Sequence, residues 1–399
     1  MRSATPSEGR RFSAPWNRRP EAEALVPSWG RRILGVLCVG MALGFLLLGW
    51  WPFSPSPPNR VRWVVPGPGL AFEAPGVAYS PGALASHQAA LPESFSVELY
   101  LSPRGGPRAA SQYILSLHDG AVPSAFAVCQ WKAELLLRIP ELTNVRGFRE
   151  VAVGGLDGSA RLFTIVCRSS GTEVFVDGRL SRRFPQFRVP AAVWRGRLVL
   201  GDAASGKQAW TGELRGLALI EQAMDSDLIA HRFEAWRSGN KVELQRGGGV
   251  AALFLFDEQT ATRVASVTPL GTHLEIPARY EVVQKQAFSF PLNRWEFWRS
   301  GRRDAVVNLL GFVPFGGLLF LWVESWAICG ARRAGLIATL GGLALSAAIE
   351  TGQIWLPTRV SSATDLILNT LGSLLGAWLT GWLVGILVRL RRCCVIAET

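Results

Sequence analysis

Residues 305–326 read AVVNLLGFVPFGGLLFLWVESW, 334–356 read AGLIATLGGLALSAAIETGQIWL, and 366–388 read LILNTLGSLLGAWLTGWLVGILV. Each matches the roughly 20 apolar residues that carry an α-helix across a bilayer. The connections between them are short, so they read as neighbouring spans of one small bundle. A fourth run, Ile33–Trp51 (ILGVLCVGMALGFLLLGWW), stands far upstream. The roughly 250 residues between it and Ala305 hold no such stretch. The chain therefore reads as a multi-domain protein in which four membrane spans bracket a large polar domain.

Composition agrees. Of 399 residues, 49% are hydrophobic and 18% charged, which argues against a disordered chain or a nucleic-acid-coating protein. The net charge of +12 comes from 38 Arg and 4 Lys, and seven of those arginines precede residue 33. That basicity reads as a topology signal, and no nucleic-acid partner is expected. His87, His118, His231 and His273 lie far apart, and the six cysteines form no CxxC pair. No compact metal motif exists, and no cofactor is expected.

Arginine sets the orientation. Residues 1–32 carry Arg2, Arg10, Arg11, Arg18, Arg19, Arg31 and Arg32; the turn after the second span carries Arg332 and Arg333; the tail at 389–399 carries Arg389, Arg391 and Arg392. With four spans all three groups fall on one side. The positive-inside rule then makes both termini cytoplasmic and the large domain extracytoplasmic. A cleaved signal peptide at 33–51 is the alternative, but the leader is long and no small-x-small site precedes the Pro-rich run PFSPSPP. Leu37 before Cys38 weighs against a lipoprotein site. Arg294, Arg299, Arg302 and Arg303 fall on the outer side, interleaved with Trp295 and Trp298. They read either as an anchor meeting lipid phosphates or as a plain basic linker.

Across 61–239 the pattern is that of strands. In Phe95-Ser-Val-Glu-Leu-Tyr-Leu101, Phe95, Val97, Leu99 and Leu101 alternate with Ser96, Glu98 and Tyr100, the period of a half-buried strand. Similar runs recur at Glu134–Ile139, Leu162–Cys167, Glu173–Val176, Leu198–Leu200 and Leu214–Ile220, with Gly, Asp and Pro turns between. Many short strands without interleaved helices predict an all-β antiparallel sandwich. One helix is expected over Asp225–Trp236, capped by Asp225 or Ser226, with Leu228, Ile229, Phe233 and Trp236 turned inward. Residues 240–303 read as a β-like piece over 240–292 (Val250–Phe256, Leu274–Ile276), which either completes the sandwich or forms a collar, followed by the interfacial linker.

The sequence SFSVELYLSP at 94–103, TEVFVDGRL at 172–180, LVLGD at 198–202 and WTGELRGLALIEQAM at 210–224 resembles the concanavalin A-like, laminin-G-type jelly roll. That resemblance implies a fold more than a function, since such sandwiches bind sugars, bind proteins or space other domains. Trp131, Trp194 and Trp210 are the candidate sugar-stacking aromatics, with core positions as the alternative. Glycosidases on this scaffold carry a Glu-x-Asp-x-x-Glu strand. Glu173 and Asp177, four apart, do not reproduce it, and a strand separates i and i+4 by more than the spacing of a retaining pair. Cys129 and Cys167 read as a disulfide or as two buried thiols.

The membrane half holds the most informative polar residues, because ionisable groups in a span usually face a bundle interior or a water-filled cavity. Asp304 and Asn308 share a face where the second span begins. Glu350 and Gln353 share one near the end of the third, Arg359 follows in the loop, and Asp365 and Asn369 share one where the fourth begins. Asp304-x-x-x-Asn308-x-Leu-Gly311 is echoed by Asp365-x-x-x-Asn369-x-Leu-Gly372. These seven residues form the candidate ligand-binding set. Pro314 would free backbone carbonyls nearby and widen such a cavity. The structural alternatives are helix caps at Asp304 and Asp365, a Glu350–Arg359 ion pair, amide glue at Asn308 and Asn369, and a close-packing face at Gly372-x-x-x-Gly376.

Residues 304–388 resemble the VanZ-like family. The resemblance rests on Asn308-x-x-Gly-Phe-Val-Pro-Phe-Gly316, Glu350-x-x-Gln353, Arg359, and Asp365-x-x-x-Asn369-Thr-x-Gly372-x-x-x-Gly376. It implies a cell-envelope role in a bacterial inner membrane rather than a reaction. The founding member is linked to low-level teicoplanin resistance, and the large inserted sandwich departs from the minimal family pattern. The expected function is a membrane protein that binds a polar-headed lipid or lipid-linked glycan at the outer face, while the sandwich binds carbohydrate or an envelope protein. An enzyme acting on a lipid-linked glycan through Glu350 or Asp365 is the alternative; no nucleophile with its base supports it. A tethered adhesion or scaffold module is another, and transport a further one.

Overall fold

The computed structural model describes residues 27–84, 90–104, 110–120, 124–141, 147–206, 208–246, 248–268, 272–285, 287–290, 302–326 and 330–397. Trp295, Trp298, Arg294 and Arg299, expected as an anchor or linker, lie outside them. Among the described residues are six helices: α1 (Ser28–Trp50), α2 (Ser226–Ser238), α3 (Lys241–Gln245), α4 (Arg302–Glu324), α5 (Ala331–Ile354) and α6 (Ala363–Ala397). Two compact units divide the chain. One takes in α1 up to Leu46, Ala305–Ala347 and the chain from Asp365; the other takes in Leu47–Asp304 and Ala348–Thr364.

The second unit is built on two eight-stranded antiparallel sheets. The first runs Val61–Trp63, Leu70–Phe72, Gly212–Ile220, Phe95–Pro103, Arg161–Arg168, Gly171–Val176, Arg179–Phe184, with Val250–Phe254 also paired to Gly212–Ile220. The second runs Arg263–Ala265, His273–Glu275, Ala78–Ala83, Arg197–Leu200, Gln112–His118, Phe126–Trp131, Glu134–Pro140, Phe148–Gly154. The β-like piece after residue 240 thus contributes strands to both sheets. Between the sheets lies one apolar core in which Phe72, Phe95, Phe126, Phe163, Phe254 and Trp210 are wholly buried. Burial of such side chains is the main favourable term holding the sandwich together.

The strand at Phe95–Pro103 is not half-buried as its alternation predicts. Phe95, Val97, Leu99 and Leu101 face the inter-sheet core, but Ser96 and Glu98 are buried too, because α2 and α3 cover the outer face. Helix α2 begins where expected: the Asp225 carboxylate accepts the Leu228 N–H at 2.8 Å, and Gly239 closes the helix at φ +68°. Its Arg232 reaches Glu98 through Nε (2.9 Å) and Nη2 (2.7 Å), and the Trp236 indole N–H donates to the same carboxylate at 2.9 Å. The pair is completely enclosed, and its remaining donor Nη1 meets the Leu244 carbonyl.

The sandwich decides several readings that the sequence left open. Trp194 and Trp210 are core residues, 2% and 0% exposed, and do not present rings to a sugar; the Trp210 N–H donates to Gln130. Trp131 is part-exposed with the Lys132 ammonium 4.6 Å from its ring centre. Cys129 and Cys167 are unpaired, and burial pushes both thiols up to about 12. Glu173 is held by Arg168 and Arg183, while Asp177 binds Arg161 and the Leu162 N–H in a two-residue hairpin turn with Gly178. Both turn residues have positive φ (51° and 78°), the geometry that an Asp-Gly pair accepts readily.

In the helical unit, α1, α4, α5 and α6 are each long and apolar enough to cross a membrane, over Ser28–Trp50, Arg303–Glu324, Ala331–Ile354 and Ala363–Leu390. Helix α4 continues unbroken through Pro314. Phe45 of α1 stacks on Phe312 with ring centres 4.8 Å apart. The backbones of α4 and α6 touch: a Cβ on Gly316 would sit 2.1 Å from the Ser373 carbonyl oxygen, and one on Gly376 would sit 1.9 Å from that of Val313. The expected close-packing face is therefore real, and small residues are what permit it.

Candidate functional site

The sequence-predicted residues divide between the two units. In the helical unit, Asn369 is buried and donates through Nδ2 to Ser346 Oγ at 2.9 Å, while Ser373 Oγ donates to the Asn369 carbonyl. Among the described residues nothing donates to Asn369 Oδ1. Asn308 is half-buried on α4 and Asp365 half-buried on the first turn of α6. Asp304, on the first turn of α4, is exposed and belongs to the other unit.

Glu350, Gln353 and Arg359 also belong to the sandwich-bearing unit, where they tie chain ends together. A helix leaves its last carbonyls without intrahelical partners. At the end of α1 those carbonyls are taken up from a distance: Gln353 Nε2 donates to Gly49 O (3.0 Å), and Arg359 Nε donates to Trp51 O (2.8 Å) with Nη2 reaching Leu48 O. A cation at a helix C-terminus also complements the helix dipole. Trp50 Nε1 returns a bond to Ile349 O at 3.2 Å. Glu350 is 2% exposed and accepts the Ser362 N–H at 2.6 Å, immediately before α6. Lys285 caps the turn after α5, its ammonium donating to the carbonyls of Leu356 and Arg359. Among the described residues no ion pair joins Glu350 to Arg359. The polar cluster among the described residues is a knot of hydrogen bonds to the main chain.

The opening lies beside it, in the same unit. A pocket of about 410 Å³ is walled by Pro55 and Ser56 beyond α1, by the segment 277–285, and by Ile354, Trp355 and Pro357 where α5 ends. Its charged groups are Arg279, Lys285 and Glu281, so its charge is net positive by one. Glu281 is engaged by the Tyr79 hydroxyl, whose pKa is pushed up to about 12 by burial and by that carboxylate. Arg279 is exposed and spends only Nη1 on a main-chain carbonyl, that of Ser56. Trp355 is 75% exposed at the end of a candidate span, the place where amphipathic rings settle at a membrane surface. Lys285 belongs to both knot and pocket, so the knot fixes one wall of the pocket. None of Arg279, Lys285 and Trp355 is singled out by the sequence reading.

The far wall is pinned by Tyr280, whose hydroxyl donates to Asp202 Oδ2 at 2.7 Å, while Asp202 Oδ1 accepts the Ala203 and Gln208 N–H groups. Burial raises the Asp202 carboxyl to about 6 against those bonds. The folded state therefore holds this proton more tightly than the unfolded chain, and the stability Asp202 contributes falls as pH rises from about 4 to about 6. Asp202→Asn should be more stable than wild type at pH 7. Its advantage should shrink by about 2 kcal/mol at pH 4.5, as read by paired thermal melts. A gap that does not change with pH would contradict the assignment.

No curated protein matches the chain. Among solved structures it is similar to a putative carbohydrate-binding protein from Bacteroides ovatus (10% identity, TM-score 0.37, covering 54% of this chain and 61% of that one). It is also similar to the receptor-binding domain of botulinum neurotoxin D (10%, 0.35, 44% and 46%). A third is the sialidase CBM40 from Ruminococcus gnavus bound to α2,3-sialyllactose (13%, 0.32, 42% and 96%). The chain spans less than two thirds of the first two, and the likeness is one of β-sandwich architecture. The family match is more specific and starts well before residue 304, taking in the pocket walls at 277–285 and 354–357. Residues 249–384, which include all or most of three of the four candidate membrane spans, match the family model described as VanZ/LLP1.

Proposed function

We propose that this is a cell-envelope protein of the bacterial inner membrane that binds an anionic, polar-headed lipid or glycolipid at the outer face, in the pocket between residues 55–56, 277–285 and 354–357. Both termini are cytoplasmic and the sandwich is extracytoplasmic, where it binds glycan or an envelope protein. The observation that carries the reading is that the walls of a net-cationic pocket follow directly from two candidate spans. Pro55 is five residues beyond Trp50, and Pro357 is three beyond Ile354. At no more than about 3.6 Å per residue, both stay within about 18 Å of the helix ends. A headgroup held there leaves its acyl or prenyl chains in the hydrocarbon. Glu350, Gln353 and Arg359 support the site by fixing its frame. Arg31, with its guanidinium 5.4 Å from the Trp326 ring, and Arg332–Arg333 at the start of α5 fit a cytoplasmic opposite end.

A catalytic reading through Glu350 is weaker, because that carboxylate is buried and accepts a main-chain N–H. Binding of phosphatidylglycerol to the purified full-length protein, followed by native mass spectrometry, should exceed that of phosphatidylcholine. Arg279→Glu should weaken it about tenfold, equivalent to about 1.4 kcal/mol, and Trp355→Ala should weaken binding of both lipids. Neither change touches the knot. Equal binding of the two lipids, unaffected by Arg279→Glu, would refute the proposal.

A further inference from the structure

Each sheet ends on one lateral side in an edge strand: Arg179–Phe184 in the first, Phe148–Gly154 in the second. The two approach closely enough for Arg182 Nη1 to donate to Ala152 O at 2.9 Å. Arg149 Nη1 likewise donates to Gln186 O at 2.9 Å. Arg149, Arg179, Arg182, Arg183 and Arg188 are all exposed there, and no acidic residue occurs from 178 to 201. Glu141 pairs with Arg149, and Glu173 pairs with Arg168 and Arg183. Among the described residues Arg179, Arg182 and Arg188 have no carboxylate partner. At the same hairpin an open cleft of about 320 Å³ is walled by Arg168, Ser170, Thr172, Glu173, Arg183 and Pro185, and its two arginines outnumber the one carboxylate they share.

We propose that this arginine seam binds an acidic polysaccharide, with the chain laid along the two edge strands and one sugar unit seated in the cleft. A guanidinium presents five N–H donors in a planar fork suited to carboxylate or phosphate, and those of Arg182 and Arg149 use only some of theirs internally. A strand of six residues extends about 20 Å, and Arg179, Arg182 and Arg183 are spread along it, with Arg188 beyond its end. That spacing suits a repeating polyanion better than a single small anion. The alternative role of edge charges is only to prevent strand-to-strand association. The proposal rests on the reading that the sandwich takes glycan; the lipid pocket is independent of it.

The test uses the full-length protein in neutral detergent, with polygalacturonate as the acidic probe, dextran as the neutral one, and phosphatidylglycerol nanodiscs in a third arm. Polygalacturonate should bind at 0.15 M NaCl and dextran should not. Raising NaCl to 0.5 M should weaken the binding at least tenfold. Arg179→Glu/Arg182→Glu/Arg188→Glu should lose at least tenfold in affinity while phosphatidylglycerol binding at the pocket is unchanged. Arg179→Glu/Arg188→Glu, which spares the Arg182 bridge to Ala152, should show the same trend if the triple variant folds poorly. No polygalacturonate binding, binding that both variants retain, equal dextran binding, or a seam dependence seen only with the nanodiscs would each overturn it.

Discussion

Gly376→Leu is expected to yield no stably folded helical unit. The α4–α6 contact is made backbone to backbone at three levels: Gly316 against Ser373, Gly372 against Leu309 and Gly376 against Val313. A Cβ at Gly376 would lie 1.9 Å from a carbonyl oxygen, and neither helix can yield locally as a flexible side chain would. The helices must separate, and with lipid outside there is no hydrophobic gain from keeping them together. Ordinary overpacking costs about 1–3 kcal/mol, and this backbone clash belongs at or beyond the upper end. Gly311 on α4 is the control, since a Cβ there meets nothing within 4 Å. Gly311→Ala should be neutral or stabilising by up to about 1 kcal/mol. Detergent-solubilised melts that leave Gly376→Leu within about 2 °C of wild type, roughly the smallest shift a 1 kcal/mol change produces, would refute the packing.

Arg232→Ala should destabilise the sandwich by about 3–5 kcal/mol, because it leaves Glu98 buried with its main counter-charge gone. Glu98 and Arg232 expose 0% and 3% of their side chains, so water cannot replace the lost partner. Glu98→Ala should cost a similar amount and also strands the Trp236 N–H. The double variant Glu98→Leu/Arg232→Met should be less destabilised than the sum of the single ones, since it removes both desolvated charges. Urea unfolding of the full-length protein, followed by tryptophan fluorescence, gives the three values. Strict additivity would mean that the two side chains do not interact.

Much of the architecture is legible in the residues because its signals are local. Four apolar runs mark the spans to within a few residues, and Glu134–Pro140, Arg161–Arg168 and Gly212–Ile220 lie where alternation and turns predict strands. Gln112–His118 and Phe126–Trp131 escaped notice because both of their faces are almost wholly buried, which erases the period of two. Arg179–Phe184 escaped for the opposite reason: it is exposed along nearly its whole length and is a strand only through its pairing with Gly171–Val176.

The site was less legible. Glu350 and Gln353 share a helix face, as their spacing implies, but Gln353 and Arg359 bind main-chain carbonyls about 300 residues upstream. A carbonyl has no sequence signature. The pocket beside them joins three distant segments, and its two cations stand in no recognisable motif.

Ser56 lines the pocket and is exposed, which makes it the natural reporter of sidedness and occupancy together. The decisive measurement is the rate at which a membrane-impermeant maleimide, added outside intact cells, modifies Ser56→Cys in a Cys329→Ser/Cys393→Ser/Cys394→Ser background. An outward-facing pocket filled by an anionic headgroup predicts slow labelling that Arg279→Glu accelerates severalfold. Labelling only after the cells are permeabilised would contradict the orientation. Equal rates with and without Arg279→Glu would contradict the occupant.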